Sequence, residues 1–181
     1  VKGESITRYC DREKLNTTQR LELFIKVCKA IQHAHQKGVI HRDIKPGNIL
    51  VTTTDRDEPQ PKVIDFGIAK AATNEIHPAE TLRTELGQVI GTPVYMSPEQ
   101  ASGSIAFHAS SDIYSLGAIL YCICCGQSPA EGFDGDIQGL KAFIIQQKWP
   151  HPRSVQPQCP QAIEAICLKA MSEKPRNRYA S

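Results

Sequence analysis

Apolar positions at Leu21, Phe24, Val27, Cys28, Ile31 and Ala34 recur with the helical period and predict a helix over residues 17–37. Asn16 stands where an N-cap belongs, Gln19 follows three positions later, and Gly38 supplies a stop. Residues 40–51 are short and mixed, with Pro46 and Gly47 inside them, which predicts a loop running into a small strand at 49–51. The polar stretch 52–60 reads as a surface turn, and 62–64 as the returning strand. Periodicity then fades from 65 to 99, where Gly67, Pro78, Gly87, Gly91, Pro93 and Pro98 punctuate the chain. A loop of that length inside a domain is uncommon and usually functional. Helical patterning resumes with Ile113, Leu116, Gly117, Leu120, Ile123 and Cys124 on one face, while Ile119, Tyr121 and Cys122 cover the others. A helix apolar all round is a central, buried one. A shorter helix is predicted within 136–147. Another starts with Pro160 at its first helical position and turns Ile163, Ile166, Cys167 and Ala170 inward. Residues 179–181 read as the start of a further helix, truncated by the end of the sequence.

Composition narrows the class. The 181 residues predict one domain, and 40% apolar with 22% charged residues is ordinary for a soluble globular protein. A net charge of +2 gives no basic field for nucleic acid. The apolar run 113–125 falls short of the ~20 residues of a membrane span. The sequence opens on Val1 without a signal peptide, as expected of an internal piece of a longer protein. Seven irregularly spaced cysteines, three of them within the apolar run as Cys122, Cys124 and Cys125, fit small apolar residues better than a metal or redox site. Reduced thiols suit a cytoplasmic setting. His33 and His35 lie two apart on a helix, face different ways and have no third partner for a metal. Trp149 reads as a packed anchor, and residues 55–58 as a solvated turn.

The chemistry is concentrated in three motifs. His41-Arg42-Asp43-Ile44-Lys45-Pro46-Gly47-Asn48 has the H-R-D, four residues, Asn pattern of a catalytic loop for phosphoryl transfer. Asp65-Phe66-Gly67 follows, bracketed by Val63-Ile64, and then come Gly91-Thr92-Pro93 and Ser97-Pro98-Glu99. Each tripeptide alone is weak; their order and context together are strong. The chain is therefore identified as resembling the protein kinase superfamily, along its whole length. The Ser-Pro-Glu-Gln form and the Ile68-Ala69-Lys70 continuation are most similar to bacterial eukaryote-like serine/threonine kinases.

That resemblance implies a mainly α fold, the large C-terminal lobe of a kinase, with a small β-hairpin bearing the catalytic and Mg-binding loops. Residues 1–181 would be a partial kinase domain, running from the hinge at Val1-Lys2-Gly3 and lacking the small lobe with its Gly-rich loop, strand Lys and partner Glu. The implied cofactors are ATP and Mg²⁺, and the implied partners are proteins with Ser or Thr acceptors and the small lobe of the same chain. Asp43 would orient the substrate hydroxyl, Lys45 would meet the transferring phosphate, and Asn48 and Asp65 would hold Mg²⁺ through hard oxygen atoms. Thr92 would contact Asp43, and with Lys45 it marks a Ser/Thr rather than Tyr acceptor. Val1, Ser5 or Glu4, and Leu50 would meet the nucleotide. Arg42 and Lys70 would receive a phosphate on the long loop, at Thr84 or, second, Thr81. His41, Phe66, Gly67, Asp112, Glu99 and Arg178 would be scaffold, the last two as an ion pair. An alternative is a catalytically inactive kinase fold that binds or scaffolds; retention of Asp43, Asn48 and Asp65 favours the active form.

Overall fold

The first long helix begins where its own side chains close the exposed backbone. In the computed structural model the Asn16 side chain accepts from the Gln19 N–H at 3.0 Å, and the Gln19 side chain accepts from the Asn16 N–H at 3.0 Å. This reciprocal cap satisfies two donors that a helix start otherwise leaves open. The structure describes residues 3–54, 58–66, 93–104 and 108–181. Val1, Gly67, Lys70, Thr81, Thr84 and Thr92 lie outside the described residues.

Helices dominate, with one small antiparallel sheet. Strand β1 (Glu4–Ser5) leads directly into helix α1 (Ile6–Arg12), and the capped helix α2 (Thr17–Gln36) follows. A tight turn at Pro46–Asn48 delivers the chain to β2 (Ile49–Thr53), which returns as β3 (Pro59–Val63). After a turn at Pro93–Tyr95 come α3 (Pro98–Ala101), the central α4 (Ala109–Cys125), α5 (Ile137–Ile145), α6 (Pro152–Val155) and α7 (Gln161–Ala170). A last turn spans Pro175–Asn177. Among the described residues, no helix is long and apolar enough to cross a membrane.

The sheet has three strands rather than a hairpin of two, because Glu4 and Ser5 pair with Val51 and Leu50 on the free side of β2. Its hairpin is also longer than the periodicity suggested, from Ile49↔Val63 out to Thr53↔Pro59. Proline is tolerated there for a geometric reason. The Ile64 N–H points inward to the Asn48 carbonyl at 2.9 Å. Alternation then turns positions 59, 61 and 63 outward, so Pro59 and Pro61 give up only edge donors.

Helix α4 is the axis of the core, buried without interruption from Ser111 to Ile123. Gly126, at φ 75°, ends it in the left-handed conformation that glycine adopts without strain. Trp149 is buried edge-on against Tyr121, with ring centroids 6.5 Å apart. Three local expectations are corrected. Ile166 is 39% exposed, because α7 turns Cys167, Ala170 and Met171 inward. Its side chain borders an apolar cavity of about 120 Å³ beside Leu116 and Tyr179. Pro160 caps α7 and does not begin it. Residues 179–181 carry no helix, since Arg178 leaves the preceding turn extended, at ψ −180°.

Arg178 joins the end of the chain to α3. Its side chain is fully buried and meets Glu99 through two parallel bonds, Nη1–Oε1 at 2.7 Å and Nη2–Oε2 at 2.8 Å. The Ser172, Ser110 and Glu173 carbonyls accept the remaining guanidinium donors at 2.8–2.9 Å. All five N–H groups are thus matched, the condition under which a buried cation is tolerable. The Ser111 hydroxyl also donates to Glu99 at 2.7 Å. Burial alone would raise the Glu99 carboxyl, but the bonds from Arg178 and Ser111 outweigh it and hold the group at about 2, against an ordinary 4.5.

Two tests of the fold follow from these contacts. A folded-state value below the unfolded one gives stability that is present above pH 4.5 and lost as pH falls toward about 2. The shift corresponds to roughly 3 kcal/mol. Denaturant unfolding at pH 7 and pH 3 is expected to show a steep loss for the native sequence and a flatter one for Glu99→Gln; parallel pH dependences would contradict the clamp. Second, a Cβ on Gly117 would lie 2.8 Å from both Ala170 Cβ and Met171 Cγ, where α4 and α7 touch. Gly117→Ala is expected to destabilise by about 1–3 kcal/mol, and an unchanged thermal midpoint would show that the contact yields freely.

Candidate active site

The catalytic-loop residues are gathered at the mouth of the β2–β3 hairpin. Lys45 Nζ donates to Asp43 Oδ2 at 3.0 Å. Asn48 Nδ2 donates to the Asp43 carbonyl at 2.8 Å and approaches Oδ2 at 3.4 Å. These contacts use the amide nitrogen of Asn48 and not its side-chain oxygen. Asn48 is buried and ends the Pro46–Asn48 turn, while Asp43 and Lys45 keep part of their surface open. Asp65 is exposed just past β3, and the bond from Ile64 N–H to Asn48 O brings it to the same end of the hairpin.

His41 ties these pieces together. Its Nε2–H donates to the Ile64 carbonyl at 2.9 Å, and its Nδ1 accepts the Asp43 N–H at 3.3 Å, an arrangement that fixes the tautomer. The Phe66 ring lies 4.7 Å from the imidazole, centroid to centroid. One buried ring therefore touches the residues on both sides of Asp65 and the amide of Asp43. The backbone is unusual at both points: Arg42 has φ 69° and Asp65 φ 56°, left-handed conformations rare outside glycine.

Asp112, in the first turn of α4, holds the loop from beneath. Its Oδ2 accepts the His41 N–H at 2.8 Å and its Oδ1 accepts the Arg42 N–H at 2.9 Å. His35 Nε2–H donates to Oδ2 at 2.8 Å from the last turn of α2. Both side chains are almost fully buried. On the other side of the same residue, Gln100 Nε2–H donates to the Arg42 carbonyl at 2.9 Å.

His35 and Gln100 are the two residues that sequence reasoning passed over in these terms. His35 drew notice only as a weak metal candidate, and Gln100 only as part of a motif. Their partners lie far along the chain, at Asp112 and Arg42, so no local spacing reveals them. In the sheet, Ser5 stands opposite Leu50 in the β1–β2 register, so two residues implied for the nucleotide are neighbours. Ser5 also precedes α1 without capping it through its side chain. Glu4 is paired with Arg12 at 2.8 Å.

Burial pushes the thiols up, Cys28 and Cys122 to about 11 and Cys124 and Cys125 to about 12, with a nearby Cys159 adding to the last two. They are poor nucleophiles near neutral pH. Among the described residues, no group of His, Cys, Asp and Glu is arranged to hold a metal by itself. Asn48 and Asp65 carry oxygen donors of the kind Mg²⁺ takes.

Comparison with known proteins agrees on one family. The protein kinase domain family matches residues 1–180. The serine/threonine-protein kinase PknB of Mycobacterium leprae is 40% identical over 162 residues, covering 89% of this chain and 24% of that protein. Pkn1 of Myxococcus xanthus is 39% identical over 159 residues, 86% of this chain and 21% of its own length. A probable PknB of Lactococcus lactis is 37% identical over 180 residues, 99% of this chain and 27% of its own. The chain thus spans about a quarter of the length of the curated relatives it matches. With the His41–Asn48 cluster, the clamp beneath it and these matches in hand, the chain belongs to the protein kinase domain family.

Proposed function

We propose that this chain is the large lobe of a protein kinase domain that transfers the γ-phosphoryl group of ATP to Ser and Thr hydroxyls of proteins. The hydrogen-bonded cluster of Asp43, Lys45 and Asn48, with Asp65 at the same hairpin end, supports this most directly. Asp43 orients the acceptor hydroxyl and takes its proton as the oxygen attacks phosphorus and the bridging bond to the β-phosphate breaks. Lys45 is already within 3.0 Å of Asp43, so a phosphate reached by its ammonium lies close to that hydroxyl. Asn48 and Asp65 would hold Mg²⁺, which neutralises phosphate charge when bound. Leu50 and Ser5, opposite each other in the sheet, would form the floor for adenine and ribose; Val1 is assigned to the nucleotide from the sequence alone. The small lobe completes the site from the other side. The buried thiols fit a reducing, cytoplasmic setting.

Three outcomes are expected. In the complete kinase domain carrying this chain, Asp43→Asn should lower turnover by roughly 10²- to 10⁴-fold with nucleotide affinity nearly intact, the range for losing a general base. Asp65→Asn should weaken Mg-ATP binding as well. Calorimetric nucleotide affinity beside steady-state kinetics separates the two, and wild-type turnover in Asp43→Asn would remove the assignment. As the large lobe only, the 181-residue chain alone should transfer no phosphate, because the groups that cover the nucleotide belong to the small lobe; incorporation of radiolabel into casein would refute this.

Phosphorylation within residues 67–92 is expected as well. A phosphothreonine brings about −1.5 to −2 charges and three acceptor oxygens, which suit Arg42 and Lys70. The active enzyme is expected to phosphorylate itself at Thr84, with Thr81 second, and Thr84→Ala to lower activity. Mass spectrometry showing Thr84 unmodified in an active preparation, with an undiminished Thr84→Ala variant, would exclude this.

A further inference from the structure

Arg42 combines a rare backbone conformation with backbone groups held by side chains remote in sequence. Its φ of 69° lies in the left-handed region, which a non-glycine residue keeps only where its surroundings over-determine it. The N–H is fixed by Asp112 Oδ1 at 2.9 Å, and the carbonyl by Gln100 Nε2–H, also at 2.9 Å. The carbonyl of Arg42 and the nitrogen of Asp43 belong to one planar peptide unit. Whatever holds that carbonyl therefore sets the direction in which Asp43 leaves the loop.

The orientation of the Gln100 amide is itself determined. Gln100 Oε1 accepts from the Ser97 N–H at 3.0 Å and from the Ser97 hydroxyl at 3.1 Å. Flipping the amide would set its NH₂ against a backbone donor and its oxygen against the Arg42 carbonyl, so only one assignment satisfies all partners. Ser97 is fully buried, and its hydroxyl caps α3 by accepting the Gln100 N–H at 3.4 Å. A capping box thus uses the oxygen of Gln100 to start a helix and leaves its nitrogen to reach the catalytic loop. Glu and Gln both serve at this position of a capping box; only Gln can also donate to a carbonyl at neutral pH.

We infer that Gln100 is a positioning residue for Asp43: through the Arg42 carbonyl it locks the peptide that aims the catalytic carboxylate, and so couples the Ser97–Gln100 segment to the catalytic loop. This rests on the proposed kinase function, because Asp43 matters only if it meets the acceptor hydroxyl. Gln100 itself touches no reacting group. Its loss acts on the pose of Asp43, so turnover changes while the nucleotide floor at Leu50 and Ser5 does not.

The test uses the complete kinase domain that carries this chain. Gln100→Glu keeps both acceptances from Ser97 but cannot donate to Arg42, and Gln100→Met keeps the length without either bond. One neutral hydrogen bond corresponds to up to roughly tenfold in an equilibrium or rate. In both variants kcat is expected to fall by about three- to tenfold with the KM for ATP unchanged. Amide exchange read by mass spectrometry should quicken in peptides covering residues 41–45, with α4 peptides as slow as in the native protein. Native exchange at 41–45 in both folded variants overturns the inference, as does native kcat. If the native protein transfers no phosphate at all, the kinase reading fails, and the exchange comparison still decides whether Gln100 holds the loop.

Discussion

The architecture depends on one buried carboxylate. Asp112 is 1% exposed and receives bonds from the His41 and Arg42 amides and from the His35 ring. A buried ion must be matched by donors or it is strongly unfavourable. Asp112 is matched by the backbone it organises, so folding the core and shaping the catalytic loop are one event. Because α4 is buried without interruption from Ser111 to Ile123, the carboxylate at its first turn has a fixed position. The loop inherits that position, and through His41 so do the residues flanking Asp65.

The second anchor, Glu99 with Arg178, serves another boundary. It fastens the short helix α3 to the last turn of the chain and to the start of α4, through the Ser110 carbonyl and the Ser111 hydroxyl. Both anchors therefore converge on the first turn of α4, one from the catalytic loop and one from the Ser97–Gln100 segment. Gln100 closes the circuit by bonding across from that segment to the loop. Asp43 and Lys45, which are partly open, are held through Asn48 and His41, which are buried.

Much of this was legible in the sequence, and what was hidden has identifiable causes. The capping box at Asn16 and Gln19 could be read because both partners are local and the helix behind them is long. The all-apolar run at 113–125 announced a central helix because no other environment accepts it. Strand β1 and helix α1 escaped notice. Two residues make no periodic signal, and α1 buries only Ile6 and Cys10, with no side-chain cap. Ile166 was misplaced because a stripe at i, i+3, i+4 defines a face only to within about one residue's 100° of rotation. Within the site, the motif residues were evident from their order along the chain. The bonds that orient them, from His35 to Asp112 and from Gln100 to Arg42, join positions with no relation in sequence, and only the fold brings them together.

The outward prolines of β3 bear on how this sheet meets other molecules. With Pro59 and Pro61 in place, the outer edge of the hairpin offers carbonyls but lacks the donors that a further strand would need at those positions. An extended segment from another molecule finds no ladder to continue there. Lys26, reaching the Pro59 carbonyl at 2.9 Å, takes up one of the acceptors that remain. Growth of the sheet is thereby confined to the side of β1. The two prolines and the Lys26 ammonium of α2 thus close the β3 edge, while β2 is already paired on its other side by β1.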